Sequence, residues 1–370
     1  MEQDLNLKSK RYSNTKYILA TVDTLYFLLL LILFQGSGLS STLAKSINNL
    51  VSPYYLVIAI YLFVVFVAYY ILDFPFNLYR SFILEHKFNL CNQKIKDWLI
   101  DQLKGMAISF IIFIILAETF YYILNRFPST WWLIASLFWI FFSVILARLT
   151  PVLIIPLFFK YRALSDSALR ERILKLAERM KVKILDVFEI NLSKKTLKAN
   201  AAFVGIGRTK RVILADTLKD KYTEDEIEVI LAHEFAHYRL KHLLKLLLIN
   251  SLGIILSFYT IFKTGGYVLG IFGIASIKTI AALPVVLLYL FLFSICLTPL
   301  ENYLSRRFEG NADRLALKFT GLRGSFISMM DKLASQNLAD RKPSRLIKIF
   351  FFDHPPIDER IAIARARDIL

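Results

Sequence analysis

Apolar residues fall along this chain in long, nearly unbroken runs of membrane-spanning length rather than at amphipathic spacing. The first covers residues 17–34 and follows a polar, basic start carrying Lys8, Lys10, Arg11 and Lys16. A removable signal sequence has a shorter apolar core and a small-residue cleavage site; neither is evident here, so the run is read as a retained helix. Three more spans are expected at 54–72, 106–124 and 131–149, the last bending at Pro151 and Pro156 if it extends toward Phe159. A membrane hairpin of two spans is expected over 243–298.

Between these runs the pattern changes. Residues 73–105 are mixed and charged, and read as an inner loop or helical hairpin. From 160 to 221 the chain reads as α+β, with a helix over 165–181 and short strands at 183–191, 201–205 and 211–215, the polar stretches 193–198 and 207–210 separating them. A helix follows over 225–238, opened by the capping-box pair Thr223 and Glu226 and expected to continue into the fifth span. The tail is polar and helical, interrupted at 353–356. Four units result: a membrane region 1–159, a catalytic segment 160–242, the membrane hairpin 243–298 and a second catalytic segment 299–370.

Composition agrees: 56% of the 370 residues are hydrophobic, too many for an ordinary soluble protein. The net charge of +17 belongs to the basic segments, all of which fall on one side of a six-span chain, and the positive-inside rule makes that side cytosolic. The membrane is then either a bacterial inner membrane or an endoplasmic reticulum membrane. No zinc finger, recognition helix or basic-aromatic repeat is present, so membrane lipid is an expected partner and nucleic acid is not. Cys91 and Cys296 have neither disulfide-framework nor metal-site spacing. Glu118, an acid within the third span, is either functional or bonded to a neighbouring helix.

The candidate chemistry is concentrated in one helix. His233, Glu234 and His237 form an H-E-x-x-H pattern, and three of the chain's five His lie between 233 and 242. Residues i and i+4 share a helical face, so both imidazoles can reach one Zn2+, with Glu234 placed to take a proton from a water that the metal activates. Glu309, with Asp313 four residues on, offers a third ligand and an acceptor for the free N–H of a ligand imidazole. His354, before a Pro pair, is the candidate stabiliser of the tetrahedral oxyanion. His242 lies about 140° round a continuous helix from His237 and is not expected to be a ligand; it marks the membrane edge instead. Asn200, Ala201 and Phe203 belong to a strand short enough to be an edge, against which an extended substrate can pair.

These residues resemble the integral-membrane zinc metalloproteases related to the type 1 CAAX prenyl endopeptidase. The similar stretches are 75–89, 155–158, 200–218, 233–242, 305–316 and 354–356 with Glu359 and Arg360, in order over nearly the whole chain. The resemblance implies a mainly α fold, a polytopic membrane helical barrel enclosing a chamber, with a small cytosolic α+β zinc metalloprotease domain. It also implies one Zn2+ held by His233, His237 and Glu309, with Asp313 behind them. The chain departs from the pattern at Asn89-Leu90-Cys91 and Gly310-Asn311, and the eukaryotic enzymes carry a further N-terminal span. The expected function is a zinc endopeptidase acting on peptides or proteins, either lipid-modified ones or membrane proteins under quality control. A transporter predicts inverted repeats, and a degenerate scaffold predicts loss of Glu234 or a ligand; the sequence has neither feature.

Overall fold

The structure is a computed structural model that describes residues 2–204 and 211–366. Six of its helices are long and apolar enough to cross a membrane, at Asp4–Gly36, Tyr54–Lys87, Ile95–Arg126, Trp131–Phe158, His242–Ile271 and Ile280–Thr320. Each runs past the apolar run that signals it, because the helix continues into polar residues at its ends.

In chain order, α1 (Glu2–Gly36) is followed by α2 (Leu39–Leu50), a helix within a link that the sequence had not marked as helical. α3 (Tyr54–Leu78) passes through a π-helical turn, Tyr79–Ile83, into α4 (Leu84–Lys87). Of the two forms expected for 73–105, the structure has the helical hairpin: the second span is prolonged to Lys87 and the next helix begins at Ile95. Arg80 in the prolonged part pairs with Asp23 on α1 and with Asp73 at 3.1 Å. α5 (Ile95–Arg126) and α6 (Trp131–Leu149) come next, and a π-helical turn at Thr150–Ile154, holding Pro151, leads into α7 (Ile155–Phe158). The expected proline bend is absorbed there. Glu118 is half-buried on α5 and forms no hydrogen bond among the described residues.

The α+β part is a sheet of four strands among the described residues, in the order β1-β2-β4-β3. β1 (Tyr161–Ala163) was not anticipated; it is three residues long and pairs antiparallel with β2 (Asp186–Ile190). β2 runs parallel to β4 (Arg211–Ala215), which pairs antiparallel with β3 (Ala201–Val204). The central strand β4 buries Val212, Ile213 and Leu214, and β3 lies at the sheet's edge. Gly205 and the turn expected at 207–210 lie outside the described residues, as do residues 367–370 of the tail. The remaining helices are α8 (Ser167–Arg179), α9 (Asp216–Lys219), α10 (Glu224–Arg239), α11 (His242–Ile271), α12 (Leu283–Thr320), α13 (Arg323–Gln336), α14 (Arg345–Phe351) and α15 (Ile357–Arg365).

Two cores result. Aromatic side chains such as Tyr61, Phe120, Tyr121, Trp131 and Phe258 interlock between the membrane helices. Leu176, Val187, Leu214, Phe235, Ala312, Ala316 and Phe326 pack α8, the sheet, α10, α12 and α13 together. The second core fixes α10 against the distal end of α12, and so brings together residues far apart in sequence.

Candidate metal centre and active site

α10 begins with the expected capping box. Thr223 accepts from the Glu226 amide, and the Glu226 carboxylate accepts from the Thr223 amide at 2.8 Å. The same carboxylate accepts from Ser328 and Lys332 of α13, both at 2.7 Å, which ties the start of the helix to the domain core. Ten residues on, His233 and His237 point their Nε2 atoms at one another, 3.0 Å apart. Glu309 of α12 faces them, its two carboxylate oxygens 3.2 Å from the two Nε2 atoms. Among the described residues these three side chains form a group whose ligand atoms all lie within 4.8 Å of one another.

The donors fit a divalent cation. Two imidazole nitrogens and a carboxylate are an ordinary zinc set, and Glu309 Oε2 is buried with no hydrogen-bond partner, a polar atom that a cation would satisfy. Behind the group, His233 Nδ1 lies 2.8 Å from Asp313 Oδ1. A carboxylate only accepts, so Nδ1 carries the proton and Nε2 keeps its lone pair for a metal. Arg360 Nη2 also lies 3.3 Å from that nitrogen, but a guanidinium only donates. Its hydrogen bonds go to Asp313, at 2.8 and 2.6 Å. Burial pushes the His233 pKa down, but Asp313 and Glu309 outweigh it and raise the value to about 9.

His237 has a partner that the sequence reading missed. The metal-site helix does not continue into the fifth span: Lys241 takes a left-handed conformation at φ 55°, ending α10 and starting α11 in a new direction. The break cancels the angular offset of a continuous helix and turns His242 back, so that its Nδ1 lies 3.1 Å from His237 Nδ1. His242 is buried and stacks on Phe308, 4.7 Å between centroids. It is not one of the three clustered donors, but its ring nitrogen faces a member of that group. The only advance signal was the count of three His within ten residues.

His354 is also brought in. Its Nε2 lies 3.3 Å from Glu309 Oε1, and its Nδ1 lies 2.8 Å from Asp353, which holds the ring. Burial lowers the His354 pKa, but Asp353 and Glu309 outweigh it and raise the value. Glu234 is half-buried beside the group. β3 lies against α10: the Phe203 ring contacts Phe235 and Tyr238, with centroids 5.5 and 5.7 Å away. The Phe203 side chain therefore fastens the edge strand to the metal-site helix. The Asn200 carbonyl accepts from the Ala215 amide, so Asn200 and Ala202 face β4, while the main-chain groups of Ala201 and Phe203 face the open edge.

The family description Peptidase family M48 matches residues 163–368, and CAAX prenyl protease N-terminal, five membrane helices, matches residues 1–160. The chain belongs to peptidase family M48. It is similar to the metalloprotease YhfN of Bacillus subtilis, 32% identical over 97% of this chain and 85% of the relative. It is also similar to CAAX prenyl protease 1 of Saccharomyces cerevisiae, 28% identical over 79% of this chain and 68% of that one. The crystal structure of S. mikatae Ste24p matches the fold with a TM-score of 0.89 at 22% identity, covering 99% of this chain and 90% of that one. This M48 peptidase is a multi-pass membrane protein, mainly helical, with six candidate spans among the described residues and a small sheet. It is a zinc metalloendopeptidase that acts on peptide or protein substrates.

Proposed function

We propose that one Zn2+ is held by His233, His237 and Glu309, and that the peptidase cleaves lipid-modified peptides at the cytosolic face of its membrane. The observation that carries the metal assignment is the convergence of two Nε2 atoms and a carboxylate within 3.2 Å, with Glu309 Oε2 otherwise unpartnered. When bound, the ion polarises the attacking water and the scissile carbonyl. Glu234 takes the proton from that water and delivers it to the departing nitrogen. His354, braced by Asp353, donates from Nε2 to the oxygen that gains negative charge. Asp313 holds the His233 tautomer, and His242 does the same for His237 by accepting from its Nδ1–H.

An extended substrate adds to the sheet at β3, pairing with the outward main-chain groups of Ala201 and Phe203, with Asn200 at the entry to the strand. Two observations favour a lipid-modified substrate. Several relatives are CAAX prenyl proteases by name, and the spans line a partly open apolar pocket of about 440 Å3, with Phe27, Tyr61, Phe66 and Leu287 among its walls. The cytosolic placement rests on the clustering of Lys and Arg in the segments that join the catalytic domain.

The test is hydrolysis of one peptide sequence, bare and farnesylated, by purified protein and by Glu234→Gln. The variant should bind zinc as wild type does and lose at least 100-fold in kcat. Equal activity in the variant overturns the role of Glu234, and equal kcat/KM for the two peptides overturns the substrate class in favour of general membrane-protein cleavage.

A further inference from the structure

The start of α1 and the end of the second span enclose a groove of about 730 Å3 that takes no part in the chemistry above. Asp4, Lys8, Arg11 and Ile18 line it from α1, at spacings that place them on one helical face. Tyr79 and Lys87 line it from the other side. Lys8, Arg11 and Lys87 have no ion-pair partner among the described residues. Nearby cations are already engaged, Lys16 and Lys198 by Glu85 and Arg80 by its two aspartates. Asp4 offsets one of the three free cations, leaving a surplus of two positive charges on the wall.

The wall is graded in polarity. At about 1.5 Å per residue, Lys8 and Arg11 stand roughly 10–15 Å along the helix axis from Ile18. Ile18 is 63% exposed and lies within the apolar run, and Tyr79 is 38% exposed beside it. Cations at headgroup depth above exposed apolar side chains match a phospholipid, with its phosphate above and its acyl chain below. A soluble anion would use only the upper half. The two walls are tied to one another, since Tyr12 of α1 donates to Glu85 of α4 at 2.6 Å and Lys198 lies 2.7 Å from the same carboxylate.

We propose that this groove is a binding site for one anionic phospholipid, its phosphate held by Lys8, Arg11 and Lys87 and its acyl chain lying against Ile18 and Tyr79. The site is separate from the metal centre, so its test needs no peptide. Full-length protein in detergent is titrated with phosphatidylglycerol or with phosphatidylcholine of the same acyl chains, and retained lipid is counted by native mass spectrometry. One phosphatidylglycerol should be retained at least tenfold more tightly than phosphatidylcholine. The variant Lys8→Ala/Arg11→Ala/Lys87→Ala should weaken that binding on the order of 100-fold, at unchanged zinc content and helicity. Ile18→Ala/Tyr79→Ala should weaken both lipids alike, and Lys94→Ala/Lys96→Ala should change neither. Equal retention of the two lipids, or undiminished phosphatidylglycerol binding in the triple variant, overturns the site. Displacement of the lipid by millimolar glycerol phosphate or inorganic phosphate overturns it in favour of a soluble-anion site.

Discussion

Asp313→Leu is the substitution whose consequences the structure separates most clearly. Asp313 is fully buried, accepts two hydrogen bonds from Arg360 at 2.8 and 2.6 Å, and lies 2.8 Å from His233 Nδ1. A leucine of similar shape leaves the buried guanidinium with only Glu309, 3.9 Å away. Breaking a buried charge pair from one side costs about 3–5 kcal/mol of stability. Losing the acceptor that orients a ligand imidazole weakens metal binding about 10–100-fold, or about 1.4–2.7 kcal/mol. The double variant Asp313→Leu/Arg360→Met removes both charges, so stability should return to within about 1–3 kcal/mol, the remainder being the unsatisfied N–H of His233. Metal affinity should not return, because His233 still lacks its acceptor. Zinc affinity is measured by competition with a chelator of known affinity. Unfolding is followed in detergent with excess chelator, so that metal binding does not contribute to the midpoint. Recovery of both quantities together in the double variant, or loss of neither in the single one, refutes the assignment.

Other expectations follow from the same geometry. His354→Ala should lower kcat about 100–1000-fold while zinc content stays at one per chain, as steady-state kinetics beside metal analysis would show. Ala201→Pro removes an amide that faces the open edge and leaves the β3–β4 ladder intact, so KM should rise about 3–10-fold at an unchanged unfolding midpoint; a fall in the midpoint would mean the amide faces β4. Burial pushes the Glu226 pKa up, but Lys332, Ser328 and the Thr223 amide outweigh it, so the folded value lies below the ordinary 4.5. A carboxylate with a depressed pKa stabilises fully above its unfolded pKa and loses that contribution as the pH falls through the folded one. Glu226→Gln should therefore cost about 2–3 kcal/mol near neutral pH and progressively less below about pH 4.5, read from unfolding midpoints across that range.

The spans, the capping box at Thr223 and the ligand pair His233 and His237 could be read from the chain because each is a local property. A run of apolar residues or an i, i+4 pair constrains its own helix whatever surrounds it. Glu309, Asp313 and His354 were candidates from the sequence only by asking which residue types a two-His site still lacks, and the structure places them beside that pair. Three features were decided by the tertiary structure. The role of Arg360 depends on α15 packing against α12 across the core, which no local pattern encodes. The outward-facing amides of Ala201 and Phe203 depend on strand register, set by which residues of β4 lie opposite. His242 reaches His237 because the backbone at Lys241 adopts φ 55°, a conformation that lysine rarely takes and no local pattern announces. Sequence determined which groups could act on a metal; the packing of distant helices decided which of them face one another.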